Sequence, residues 1–365
     1  MRWHTDKRPG ARLRTPVWAF PASLAIAALT GAIIFATLGV NPLTAYGVML
    51  KGALGSAFRI SEVIVRAIPL MLTGLAVALA ATMLLWNIGC EGQLVWGGIC
   101  AAGTGLFLAP HLPPLAVMPA MIAAGAAGGA LWGLIPGLLK AYLAVNEILS
   151  SLLLNYIAII FMEHLYFGPW RNPEGYGFPG TAQIAEAARI PHFFGTRIHL
   201  GLVLALVCAG LLFLALRSTR WGYRVRAIGL NAKAARYAGF RIQGQIVVVM
   251  LMSGALAGLA GMAEVSGIHF RLQQGVAVGY GYDGIIVAWL ARLNPLAVPF
   301  VALLLGALIV GGEQLQSGLH LPSSISVVLE AVLLFGLLLS ESLARYRLVR
   351  QPTSDEAATG EGRTP

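Results

Sequence analysis

From residue 17 to residue 343 the chain is a succession of apolar blocks, several of them near 20 residues long, separated by short stretches rich in Gly, Pro and charge. Hydrocarbon offers no water to backbone N–H and C=O groups, so a block of this kind has to close its hydrogen bonds within itself as a helix. About 20 residues at a rise of 1.5 Å cover the ~30 Å core of a bilayer. Composition agrees, with 58% hydrophobic and only 11% charged residues, against about 25% charged in a soluble domain. The expected fold class is all-α, a polytopic integral membrane protein.

Reading the blocks against their breakers gives about ten transmembrane helices, at 17–40, 62–85, 93–109, 115–139, 148–166, 198–216, 244–265, 284–293, 296–312 and 325–343. Two of these, 93–109 and 284–293, are short for a simple span. Short or Gly/Pro-interrupted apolar segments often mark broken helices that line a pathway.

The basic residues lie in three blocks. Residues 1–15 hold five against one acid, residues 217–241 hold seven and no acid, and Arg345, Arg347 and Arg350 close the last apolar block. Basic flanks mark the cytoplasmic side. Six spans separate the first two blocks and four the last two, so both termini fall inside; eight spans with two re-entrant segments satisfy the same parity. The expected organisation is a basic cytoplasmic N-terminus (1–16), a transmembrane domain (17–345) with an external loop at 167–197 and a cytoplasmic loop at 217–243, and a polar, cytoplasmic tail (346–365) whose last residues, 351–365, are too low in hydrophobicity to fold. The run 17–40 is too long for a signal-peptide core and reads as an uncleaved first span. The net charge of +10 follows from these flanks and calls for no nucleic acid.

Enzyme signatures are missing: there is no H-E-x-x-H, G-x-S-x-G or G-x-x-x-x-G-K-[ST]. The G-x-G-x-x-G at 279–284 follows no strand, so it does not read as a dinucleotide site. Cys90, Cys100 and Cys208 sit in apolar sequence with no metal-ligand spacing. Polar groups within the apolar blocks are more informative, because each needs a partner or water. Glu62 and Arg66, one helical turn apart, are placed to neutralise each other. Glu91 stands between two glycines in N-I-G-C-E-G-Q. Asn146 is placed to cap the fifth span, with Glu147 complementing its dipole and Asn155 farther along the same helix. Asp283 lies among glycines at the start of the eighth segment, at its outer end on this topology. The segments I-G-C-E-G-Q-L-V-W-G (88–97) and G-Y-G-Y-D-G-I-I-V-A (279–288) look alike and run in opposite directions on this topology, as in an internal inverted repeat.

Three motifs, in order, carry a resemblance to a family: N-I-G-C-E-G-Q-L at 87–94, V-N-E-I-L-S-S-L-L-L-N-Y at 145–156, and G-L-N-A-K-A-A-R-Y-A-G-F at 229–240. Over roughly residues 17–345 the chain resembles the permease subunits of binding-protein-dependent ABC importers, in the class that includes branched-chain amino acid and simple-sugar systems. The G-P-W-R-N-P at 168–173 and the chain length look most like permeases of nucleoside systems served by basic-membrane-lipoprotein-type receptors. The resemblance implies an importer in the bacterial inner membrane. A substrate-binding lipoprotein outside would deliver the solute. A second permease subunit, a shorter paralogue, would complete the path, and two ABC ATPase subunits or a fused tandem ATPase would drive it. No cofactor is expected on this chain, because ATP would be bound by the partner subunit, and no enzymatic activity is expected of it.

The resemblance also implies a coupling helix at about 231–238, bounded by Gly229 and Gly239. Gly229, Asn231, Lys233, Ala234, Ala235, Arg236 and Gly239 are its expected ATPase-coupling residues. Local chemistry agrees: Asn231 suits an N-cap, the alanines favour helix, and Gly239 fits the position after its end. Where older permeases carry a Glu-Ala-Ala-Gly-type loop, Lys233 here precedes the Ala pair, so no acidic residue stands at that position. The expected substrate path comprises Asn87, Glu91, Gln93, Asn155 and Asp283, with Trp96 or Tyr156 available to stack a nucleobase. The alternative is an ion-gradient-driven secondary transporter or channel using Glu91, Glu264 and Asp283.

Overall fold

The computed structural model describes residues 2–7, 19–175, 177–193, 195–322 and 324–351; the expectation for the tail beyond Gln351 lies outside them. Among the described residues thirteen α-helices follow in chain order: α1 (Ala19–Thr37), α2 (Pro42–Leu54), α3 (Ala57–Thr82), α4 (Cys90–Gly103), α5 (Pro114–Leu143), α6 (Glu147–Phe167), α7 (Gly201–Ser218), α8 (Arg220–Leu230), α9 (Ala232–Tyr237), α10 (Ile242–Glu264), α11 (Tyr280–Leu290), α12 (Val298–Leu319) and α13 (Ser324–Arg345). α4 continues through a π turn, Thr104–Leu108, and α10 through another, Val265–His269. Strands β1 (Arg2–Lys7) and β2 (Tyr346–Gln351) pair antiparallel.

Each of the ten expected segments is a helix, but fewer are long and apolar enough to cross. Among the described residues seven helices are, or eight if the bent pair α1–α2 counts as one span. The expectation of about ten is therefore too high. α11 has 11 residues, roughly 16 Å of rise, about half of a bilayer core.

The chain divides into two compact units, Met1–Ala45 with Val327–Pro365, and Tyr46–Ser326. In the first, Gly336 of α13 lies directly against Ser23 of α1. In the second, α3 is buried along nearly its whole length, which its unbroken run of apolar and small residues from Ile68 to Ala81 permits. α4, α5 and α10 pack backbone to backbone. Gly97 and Gly129 both lie against Gly258, and Gly254 lies against Gly129. Lipid supplies no hydrophobic drive between helices, so small residues that allow such close approach hold them together.

The unit has two distinguishable ends. At one, residues 181–193 lie along the segment after α10, with the N–H of Thr181, Ile184 and Ile190 donating to the carbonyls of Leu272, Phe270 and Ser266 at 2.9, 2.8 and 3.0 Å. At the other, α8 packs Gly229 against the carbonyl of Thr82, at the end of α3. These are called the loop end and the island end.

Candidate functional site

α3 fixes a depth scale. The Thr73 hydroxyl donates to the carbonyl of Tyr280 at 2.9 Å, nine residues short of the last residue of α3 at Thr82. The start of α11 thus lies roughly 14 Å in from the island end, within the bundle. The sequence expectation had Asp283 at an outer end; the structure puts it at this interior level.

Here α11 and α4 meet N-terminus to N-terminus. The Glu91 carboxylate accepts from the backbone N–H of Gly279 at 2.8 Å and of Gly281 at 2.6 Å. It satisfies two of the donors that a helix start leaves orphaned and complements the helix dipole. Gly279 has φ of +102°, a conformation suited to glycine. Gly281 lies so close to the backbone of Glu91 that a Cβ there has no room. The 279–284 glycines therefore serve a head-to-head helix junction. From it α4 runs to the loop end, where Gly105 meets Ile184 and Ala188. α11 runs to the island end, where Trp289 stacks on Trp86 at 5.5 Å. The two segments alike in sequence thus start from one junction and run opposite ways.

Asn155 of α6 ties the junction from the side. Its Oδ1 accepts from Gly92 N–H at 2.8 Å, and its Nδ2 donates to Ile88 O at 2.9 Å and to the Tyr282 hydroxyl at 3.1 Å. Asn87 and Gln93 form a reciprocal amide pair, at 2.9 Å in each direction. Asn87 also donates to Ser253 of α10 at 2.8 Å, and Ser253 donates to Ala76 O of α3 at 2.6 Å. The structure thus brings Asn87, Glu91, Gln93 and Asn155 together as buried polar side chains, whose hydrogen bonds go to backbone, within the Asn87–Gln93 pair, and to the hydroxyls of Ser253 and Tyr282. Asp283 is half-buried, with no hydrogen bond or ion pair to its carboxylate among the described residues.

Trp96 lies between Trp132 and Phe161, at 4.7 and 5.1 Å. Both its faces are covered, and packing is what it does here. Tyr156 is 58% exposed. The charges toward the loop end pair differently from the sequence expectation. Glu62 and Arg66 do not pair with each other. Arg197 donates to Glu62 at 2.9 Å, and Arg66 donates to the Tyr280 hydroxyl and to Glu313, each at 2.9 Å. Glu264, buried, faces His269 at 3.6 Å. Asn146 does cap α6, accepting from Ile148 N–H at 2.9 Å, and Glu147 pairs with Lys140 at 2.7 Å.

The basic island is two helices. α8 is capped by the Thr219 hydroxyl, which accepts from Gly222 N–H at 3.0 Å. α9 is capped by Asn231, whose Oδ1 accepts from Ala234 N–H at 3.0 Å. α9 ends where Gly239 takes a φ of +81° and Phe240 N–H donates to Ala235 O at 3.1 Å. Gly229 belongs to α8 and its contact with α3, and does not bound α9. Ala235 is buried, whereas Lys233, Ala234 and Arg236 are exposed. Sequence reading missed Tyr237, the most exposed aromatic side chain of α9 at 95%. Its position two residues after the Ala pair, opposite the single buried residue, was the available signal.

Comparison with known proteins places the chain. The family profile described as branched-chain amino acid transport system / permease component matches residues 59–339. The glucose ABC transporter permease protein TsgB13 of Haloferax volcanii is 36% identical over 92% of this chain and 89% of its own length. The guanosine ABC transporter permease protein NupP of Bacillus subtilis is 34% identical over 84% of this chain and 88% of its own. The nucleoside ABC transporter permease protein NupB of Lactococcus lactis is 29% identical over 84% and 86%.

Proposed function

The chain belongs to the family of branched-chain amino acid transport system permease components, and on that premise we propose that it carries a nucleoside or a related small polar solute inward, driven by ATPase subunits that dock on α9. It is a multi-pass membrane protein and a permease subunit of an ABC importer. Its relatives are named for guanosine, nucleosides and glucose, which share a neutral ring bearing several hydroxyl groups.

The observation that carries the docking assignment is α9 itself. A six-residue helix is marginal alone in water, yet α9 is capped at both ends and exposes all but one of its residues. It presents Tyr237 with Lys233 and Arg236 beside it, an aromatic anchor with basic neighbours of the kind that dominates binding interfaces. The seven basic residues of the island put the island end in the cytoplasm by the charge rule. The loop end, with residues 168–200, then faces the external receptor. Both termini are cytoplasmic on the same reading. ATP is bound by the partner, and a second permease completes the path past the Asn87–Glu91–Asn155 junction and Asp283.

The test is uptake of labelled guanosine and glucose by vesicles containing this chain with its second permease, ATPase and receptor. Uptake should require both ATP and the receptor. Uptake that persists after omission of the ATPase overturns the reading in favour of a gradient-driven transporter.

A further inference from the structure

The two carboxylates at the helix junction differ in what they have left to offer. Both Glu91 oxygens are occupied by backbone N–H groups of Gly279 and Gly281, and the side chain is buried. Asp283 keeps its whole acceptor capacity. Along α11, Tyr282, Asp283, Ile285, Ile286 and Trp289 are half-buried, whereas Tyr280, Gly281, Gly284, Val287, Ala288 and Leu290 are buried. At 100° per residue the half-buried residues share one side of the helix, with Asp283 at its border next to Leu290 and Val287. The open face begins at the junction, where Asn155 orients the Tyr282 hydroxyl. It ends at the Trp86–Trp289 stack near the island end. A carboxylate on this face, at the depth of Thr73 and without a basic partner, is costly against lipid, so the face borders water or solute. Arg66, the basic residue that bonds to neighbouring Tyr280, is committed to that hydroxyl and to Glu313.

We propose that the open face of α11 is a wall of the solute path between the junction and the island end, and that Asp283 is its specificity-determining residue. An ionised carboxylate is acceptor-only, so it takes hydroxyl and N–H groups of a neutral or cationic solute and repels anions. Glu91, its counterpart in the sequence likeness, is a positioning residue that holds the start of α11 and does not touch the solute. This rests on the permease reading above and deepens it.

The experiment places a single cysteine, Ile286→Cys, one turn beyond Asp283 on the same face, with Cys90, Cys100 and Cys208 replaced by Ala or Ser. The full complex with ATPase, second permease and receptor is treated with cationic and anionic methanethiosulfonates, at rest and during ATP turnover. Reaction with the cationic reagent is expected in at least one state. The cationic-to-anionic rate ratio should fall at least threefold when Asp283→Asn is added. In the native-cysteine complex Asp283→Ala should lower guanosine or glucose uptake at least tenfold, with receptor-stimulated ATP hydrolysis kept within twofold. A cysteine inert in every state, an unchanged ratio, or uptake by Asp283→Ala at the parent rate overturns the inference. The permease reading stands or falls separately, on ATP-dependent uptake by the parent complex.

Discussion

Glu91 and Gly281 meet at 2.6 Å, carboxylate oxygen to backbone nitrogen, and this contact joins two helices that leave the junction for opposite ends of the bundle. A helix start is electropositive and carries unsatisfied donors. The N–H groups of Tyr282 and Asp283 turn back to the carbonyl of Gly279 at 2.9 and 3.0 Å, those of Gly279 and Gly281 go to the carboxylate, and Glu91 thereby fixes both the depth and the direction of α11.

Removing that carboxylate should loosen the junction. Each buried donor left unsatisfied costs about 1–3 kcal/mol, and Glu91→Ala abandons two, whereas Glu91→Gln keeps one acceptor oxygen. The apparent melting temperature of the purified protein should fall in the order parent, Glu91→Gln, Glu91→Ala. Equal melting of parent and Glu91→Ala contradicts the latch.

Gly281→Ala puts a Cβ into the backbone of Glu91, which cannot move aside. Overpacking of this kind costs about 1–3 kcal/mol or more. The yield of monodisperse protein should drop sharply. Gly244→Ala, with open space around it, should express as the parent does.

Tyr237→Ala should leave folding untouched, because the side chain is almost fully exposed, and weaken ATPase association at least tenfold, as loss of an aromatic anchor does. A pull-down of the ATPase by the variant at parent efficiency would count against docking through α9. A bulky residue at buried Ala235 is expected to disturb α9 itself.

At the loop end, His199 is buried between Gly201 and Gly267, with its Nδ1 accepting from Gly201 N–H at 3.2 Å. Burial, with smaller contributions from His192 and Arg197, holds its imidazole down at about 4. Unfolded, it titrates near 6.5, so between those values the unfolded segment binds more protons. Its contribution is complete above about 6.5 and is lost as pH falls toward 4, up to about 3 kcal/mol. Amide protection factors in residues 181–200, taken relative to the intrinsic exchange rate at each pH, should fall on acidification from pH 7 to 4.5. His199→Gln should flatten that dependence, and an equally steep profile in the variant would assign it elsewhere.

Much of the fold was legible because hydrocarbon leaves the chain few options. Ten apolar blocks gave ten helices, and Asn146 and Asn231 marked helix starts because their side chains do locally what a cap requires. α2 was missed because Lys51 and its glycines made 42–54 read as a connection. α8 was missed because its basic residues were read only as a mark of sidedness. The count of crossings failed at α11, whose short length needed a partner at its start to make sense.

The sequence alone determined a helical membrane bundle, the short capped helix of the island, and the polar residues that had to be accounted for inside it. Those follow from local rules: hydropathy, capping and the cost of a bare polar group. Only the tertiary structure decided which polar groups meet. Glu62 pairs with Arg197 and not with Arg66, Asn87 with Gln93 and Ser253, and Glu91 with a helix start 188 residues away. Such pairings depend on how helices distant in sequence pack, and packing in lipid is set by close-fitting glycine surfaces that no single segment carries by itself.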